Sequence, residues 1–325
     1  MLGLLTFAPI YKSMLWGGAR LPGFLDAPVG PPLAAGDPVG EAWVLSDVEG
    51  SLSRVGAGPH RGRTLRELIA EFPRQLFGDA TPPTDGRFPL LLKFIDARRE
   101  LSVQVHPDDA RAAAHRGAGH RGKTEAWVVL DAAPDSRLYA GFRPGVTAAD
   151  FRAAMAAGTT PDTLHSYAPR PGDTVFLEAG TVHAIGADLL LFEVQQTSDI
   201  TYRLYDWGRV DEKSGRPREL HVELGLACAN FAAGPCHPVT PTPGPGGRDT
   251  LVDCPHFTLH RLCVTANATL ANAACRALVV TAGRGTLNGL PVGPGSVALV
   301  PAGVREVAVA PAEPLTLLDC GLGRP

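Results

Sequence analysis

Four residues in three short segments carry the side chains most suited to chemistry. Gln104 and His106 stand two apart in Ser102-Val103-Gln104-Val105-His106, where polar and apolar residues alternate. A strand has a side-chain period of two, so these two groups project from one face and Val103 and Val105 from the other. Lys123 and Glu125 repeat the spacing in Gly122-Lys123-Thr124-Glu125, and Thr181 and His183 repeat it again. Two imidazoles, one carboxylate and one amide oxygen form a plausible shell for a divalent metal. Zinc accepts this mixture of nitrogen and oxygen donors and, in a catalytic site, keeps a position for water or substrate. One ionised glutamate against a dication leaves net positive charge, which polarises a carbonyl or hydroxyl.

A second group lies in Leu191-Phe192-Glu193-Val194-Gln195-Gln196-Thr197-Ser198-Asp199-Ile200-Thr201-Tyr202-Arg203. Glu193 ends an apolar run, where a carboxylate is costly unless it is paired or functional. Arg203 is a fixed cation beside Thr197, Ser198 and Thr201. An arginine fork with neighbouring hydroxyls suits a phosphorylated polyol, and an arginine–carboxylate structural pair is the other reading. His115, His120, His165 and His260 lack such a context and read as hydrogen-bonded or surface histidines.

The elements that position these groups are mostly strands. Leu90 to Ile95, Ser102 to His106, Trp127 to Leu130, Thr174 to Leu177 and Leu189 to Gln195 have strand character. Thr64-Leu65-Arg66-Glu67 is a capping box that opens a helix reaching Phe72, before Pro73. Asp108 and Asp109 cap a short helix through Ala114. Thr147 begins another through Ala157, and His221 to Phe231 reads as helix. Residues 1–233 read as one domain, the Pro/Gly-rich 234–250 as a linker, and 251–325 as a smaller β domain. Pro171-Gly172-Asp173-Thr174-Val175-Phe176-Leu177-Glu178-Ala179-Gly180 resembles Pro294-Gly295-Ser296-Val297-Ala298-Leu299-Val300-Pro301-Ala302-Gly303. Each is a turn, a strand and a second turn, and Glu306 stands in the second copy where His183 stands in the first. Two related β-barrels follow, with chemistry in the first only.

Composition sets the outer limits. The 325 residues suffice for two domains, and 37 Gly and 30 Pro favour a turn-rich β protein. A net charge of -3 argues against a general nucleic-acid binder. No apolar stretch reaches the length of a membrane span, and the apolar Met1 to Ile10 reads as a strand rather than a leader. Six cysteines, none in a C-x-x-C pair, read as free thiols of a reducing cytoplasm. Monomer and homodimer are both open.

Four ordered motifs, Leu101 to Asp108, Gly122 to Trp127, Gly180 to Ile185 and Thr197 to Asp206, resemble the short bacterial form of type I mannose-6-phosphate isomerase. Trp16-Gly17-Gly18 and Gly40-Glu41-Ala42-Trp43 add to the likeness, which runs from about Pro9 to Val222. The resemblance implies a mainly β protein of two cupin-type, jelly-roll-like barrels with one bound zinc. It places the ligands on Gln104, His106, Glu125 and His183 and the catalytic arginine on Arg203, with further active-site positions at Ser102, Lys123, Glu193 and Asp199. The implied substrate is a phosphorylated hexose, and the implied reaction moves a hydrogen between C1 and C2 through a cis-enediol. Glu193 is the favoured shuttle base, with Asp199 and Lys123 as rivals. An iron-dependent cupin oxygenase and a non-catalytic sugar-binding cupin are the competing functions.

Overall fold

The computed structural model describes residues 2–25, 38–79, 85–211 and 215–323. The protein is mainly β, with a few short helices, as expected. It forms two compact units. One comprises Ser13–Gly18 and Ile95–Val239, the other Met1–Lys12, Ala19–Phe94 and Thr240–Pro325. The division is not sequential like the 1–233, 234–250 and 251–325 reading, and register gives the reason. Leu5–Thr6 pairs antiparallel with Val297–Val300, with Leu5 opposite Leu299, so the start of the chain folds with its end.

Two larger antiparallel sheets run through the unit of residues 95–239, beside a two-stranded one of Val210–Asp211 and Arg216–Pro217. In the first the order is Leu164–Tyr167, Leu138–Phe142, His183–Ile185, Val103–Val105, Tyr202–Tyr205. In the second Thr174–Leu177, Glu125–Ala132 and Leu189–Gln196 lie side by side. Trp127, Val129, Val175 and Leu191 of the second sheet form one buried cluster with Leu138, Ala140 and Ile185 of the first. On the other side of the first sheet, Val103, Val105, Tyr202 and Leu204 pack with Ala112, Phe151 and Cys228 from three helices. That sheet is buried on both faces, so polar side chains on its strands have little access to bulk water.

The helices begin where the capping residues lie. Thr64 and Thr147 each complete a capping box, opening Leu65–Glu71 and Ala148–Ala157, and the Asp108 carboxylate caps Asp109–Arg116 through the Arg111 N–H. Pro73 starts a second short helix, Pro73–Phe77, rather than only ending the first. The helix expected over 221–231 is confined to Val222–Cys228, because the Ala229 backbone is already extended, φ -64° and ψ 131°. Part of the Gly/Pro-rich first segment, residues 26–37, lies outside the described residues.

The internal echo survives in three dimensions. Thr174–Leu177 and Val297–Val300 occupy identical places in the two copies. Gly172 donates to Val129 O and Gly295 to Val280 O, both at 2.8 Å, and both glycines take positive φ in the preceding turn. Register carries the correspondence onward. Glu125 lies opposite Leu177 as Arg276 lies opposite Val300, and Trp127 opposite Glu193 as Leu278 opposite Asp319. Residues 248–322 of the second unit form two sheets on the same plan, joined by Leu5–Thr6, with a core that includes Leu278, Val280, Val300 and Leu317.

Candidate metal centre and active site

Strand register assembles the candidate ligands. His183 and Arg203 are the partners of Gln104 on its two neighbouring strands. Residues directly opposite one another in an antiparallel sheet project to the same side, so His183, Gln104 and Arg203 form one row. His106 follows Gln104 by two. Glu125 opens its strand in the other sheet, where its partners are Leu177 and Gln195.

Ligand atoms of His106, Glu125 and His183 all lie within 4.8 Å of one another, and each residue is at most 1% exposed. His183 Nε2 is 3.3 Å from Glu125 Oε1, and His106 Nε2 is 3.7 Å from Glu125 Oε2. The Gln104 amide reaches His183 Nε2 at 3.4 Å, and its oxygen and nitrogen exchange places by rotation of the amide. Bonds of 2.0–2.1 Å arranged tetrahedrally put donor atoms about 3.3 Å apart. The observed separations are close to that spacing, so the donor set fits one small divalent ion.

Both imidazoles are held from behind. His106 Nδ1 lies 2.9 Å from Ile200 O and His183 Nδ1 2.9 Å from Thr181 O. Only a protonated Nδ1 can donate to a carbonyl, so in the neutral ring each Nε2 keeps its lone pair and aims it inward. An outer hydrogen bond of this kind fixes the tautomer and ring orientation of metal-binding histidines.

Cations and a further carboxylate surround this group. The Lys123 ammonium is paired with Glu125, lies 3.0 Å from His106 Nε2 and 3.5 Å from Glu193 Oε1. Glu193 is 2% exposed, and its Oε2 accepts from Trp127 Nε1 at 3.0 Å. Ser102 is buried two residues before Gln104, whereas Asp199 is exposed. Arg203 is half-buried and donates from Nη1 to Glu219 O at 2.8 Å. Among the described residues no carboxylate forms an ion pair with it, so the structural-pair reading of this arginine has no partner here. Burial lowers the Arg203 pKa, and the nearby Arg218 adds to the effect. Arg218 and Arg209 instead bind Asp206. Burial pushes the Asp206 carboxyl up, but the two guanidiniums outweigh it and hold it below its ordinary value.

The family profile "Phosphomannose isomerase type I, catalytic domain" matches residues 4–136. Mannose-6-phosphate isomerase ManA of Bacillus subtilis is 38% identical over 222 residues, which span 68% of this chain and 66% of that relative. The mannose-6-phosphate isomerase of Streptococcus mutans is 36% identical over 282 residues, 84% of this chain and 83% of the relative. The chain belongs to the type I phosphomannose isomerases. A crystal structure of the Bacillus subtilis mannose 6-phosphate isomerase matches 99% of this isomerase and 100% of its own chain, at a TM-score of 0.87 and 27% identity. Phosphomannose isomerase from Salmonella typhimurium, at 17% identity and a TM-score of 0.78, shares the fold.

Sequence pattern placed Gln104, His106, Glu125, His183 and Lys123 in one neighbourhood but left out what holds them. Thr124 N donates to Gln196 Oε1 at 2.9 Å, and Gln196 Nε2 donates to Asp109 Oδ1 at 2.9 Å. Asp109 Oδ1 also accepts from Gly122 N at 2.7 Å. These bonds clamp the isomerase's Gly122–Glu125 segment from both sides. Side-chain partners 13 to 87 positions apart give no signal at short range. The acceptors of the two histidines are backbone carbonyls, which residue identity does not announce. His115 bonds Tyr202 Oη at 2.8 Å and His120 is exposed, in keeping with ordinary roles.

Proposed function

We propose that the protein interconverts D-mannose 6-phosphate and D-fructose 6-phosphate at a centre where Gln104, His106, Glu125 and His183 hold zinc. The observation that carries this reading is the convergence of two inward-facing imidazole nitrogens and Glu125 beside a second buried carboxylate, Glu193. Named relatives of high coverage add to it. A bound divalent ion supplies Lewis acidity that makes the hydrogen next to the sugar carbonyl more acidic.

The remaining work falls to protein groups. Glu193 takes the proton from C2 of the open-chain aldose and returns it to C1 while the hydroxyl proton passes from O2 to O1, and the reverse direction uses the same carboxyl. The cis-enediol between these events carries developing negative charge on oxygen. Lys123 offers N–H donors beside Glu193, and Arg203 supplies a fixed cation for that charge or for the phosphate. Ser102, buried just before the strand that carries Gln104, is a sugar-hydroxyl partner. Asp199 is the rival base, and its exposure makes it the weaker candidate, because Glu193 is the carboxylate buried beside Lys123. The chemistry belongs to the unit of residues 95–239. In the second unit Ala271, Arg276 and Glu306 stand at the register positions of Gln104, Glu125 and His183, a set with one potential ligand in place of three. All six cysteines are free, which suits a reducing cytoplasm.

The deciding experiment follows fructose 6-phosphate formation from mannose 6-phosphate in metal-loaded, chelator-treated and zinc-restored protein. Loss with chelator and recovery with zinc is the expected result. A folded, zinc-loaded protein without turnover would favour a sugar-binding cupin. Iron in the purified protein together with oxygen consumption would favour an oxygenase.

A further inference from the structure

We infer that Trp127 is a positioning residue for Glu193, setting the carboxylate of the base against the metal-binding imidazole. The inference rests on the reading of Glu193 as the shuttle base. Trp127 is fully buried, two residues after Glu125 on the same face of its strand, and directly opposite Glu193 in register. Its indole N–H donates to Glu193 Oε2 at 3.0 Å, which leaves Oε1 on the side of Lys123. The ring itself meets the His183 imidazole edge to face, with centroids 5.3 Å apart and planes at 80°. One rigid side chain thus touches both the candidate base and a candidate metal ligand. An indole has only two side-chain torsions, and close packing in the core leaves it little room to move.

The second unit supplies an internal contrast. At the register position of Glu193 it also carries a buried acid, Asp319, but Leu278 replaces Trp127. Asp319 is held there by Arg276 Nη1 at 2.8 Å and Arg248 Nη2 at 3.1 Å. The scaffold can therefore anchor an acid at this place by ion pairing. In the first unit the buried acid is instead oriented by a neutral indole N–H on one oxygen, with the Lys123 ammonium 3.5 Å from the other.

Removing the N–H while keeping the ring tests the assignment. Two replacements serve: Trp127→Phe, and β-(3-benzothienyl)alanine at position 127, which has sulfur in place of the indole N–H and nearly the same shape. Each is compared with Glu193→Gln for bound zinc, KM and kcat. In both replacements kcat should fall about 10-fold or more, by analogy with the loss of other outer hydrogen-bond partners, with KM within about twofold and zinc content unchanged. In a Glu193→Asp background, where the shortened acid no longer reaches the indole, the same replacements should have no further effect. Full kcat in the benzothienyl protein would overturn the proposal, as would a loss confined to KM or to zinc content. If Glu193→Gln is inactive while both Trp127 replacements turn over normally, the base stands and the positioning role fails. If Glu193→Gln itself turns over normally, the base reading fails and the inference falls with it.

Discussion

Arg203 shows how much a single residue's surroundings decide. A half-buried guanidinium ordinarily finds a carboxylate, because desolvating an unpaired charge is expensive. Here Asp206, the acid three residues on, is taken by Arg209 and Arg218, and among the described residues the Arg203 guanidinium donates to a backbone carbonyl. Its strand partner is Gln104, which puts it in the row that contains His183. A cation without a carboxylate ion pair among the described residues, in one row with Gln104 and His183, is suited to an anionic group that arrives with a substrate. The planar fork matters as well as the charge, since a lysine cannot bond the Glu219 carbonyl and an oxyanion in the same geometry. Arg203→Lys should therefore lower kcat/KM by about 10-fold or more while zinc content stays unchanged. Steady-state kinetics with metal analysis checks this, and wild-type kinetics in the lysine variant would remove Arg203 from the site.

Among the elements, those defined by local chemistry were the legible ones. Thr64, Asp108 and Thr147 each start a helix because the cap and its partner lie within three residues. The period of two correctly assigned Val103 and Val105 to the packed face and Gln104 to the opposite one, where its amide meets His183. The end of the last helix was less legible, because no glycine or proline marks the point where Ala229 turns extended. Strand pairing was not legible either, so the contact between Trp127 and Glu193 had no signal in the sequence. The same holds for the Asp109–Gln196 clamp. Gln196→Ala would leave the buried Thr124 N–H without its acceptor and free the segment that carries Lys123 and Glu125. An unsatisfied buried donor costs about 1–3 kcal/mol, and loss of outer support weakens metal binding by about 10–100-fold. Chemical denaturation and zinc competition titration should show both effects. Unchanged zinc affinity would make the clamp a matter of stability alone.

For the whole molecule, one scaffold has been put to two uses. The same turn, strand and register recur in both units, yet Glu125 corresponds to Arg276 and Glu193 to Asp319. Where the first unit gathers donors that suit a cation from solution, the second carries its own cation as a side chain. Asp319 is fully buried and Arg276 nearly so, with Arg248 more open at the edge. Such a network is a poor source of net stability, because desolvation of the charges offsets most of their attraction. Breaking it is another matter. Asp319→Ala leaves the buried Arg276 guanidinium without its counter-ion, and such a loss costs about 3–5 kcal/mol. Replacing both charges, as Arg276→Met with Asp319→Leu, removes the stranded cation and lets Arg248 turn toward solvent. The double variant should then be far more stable than Asp319→Ala and close to the parent. Zinc content should be unchanged in both, because no proposed ligand is touched. Urea denaturation of the parent, the single and the double variants measures the difference. Equal losses in the two variants would mean that the side chains matter for packing rather than for charge. A small loss in Asp319→Ala would mean that water reaches the arginine and that the second unit never depended on a built-in counter-ion.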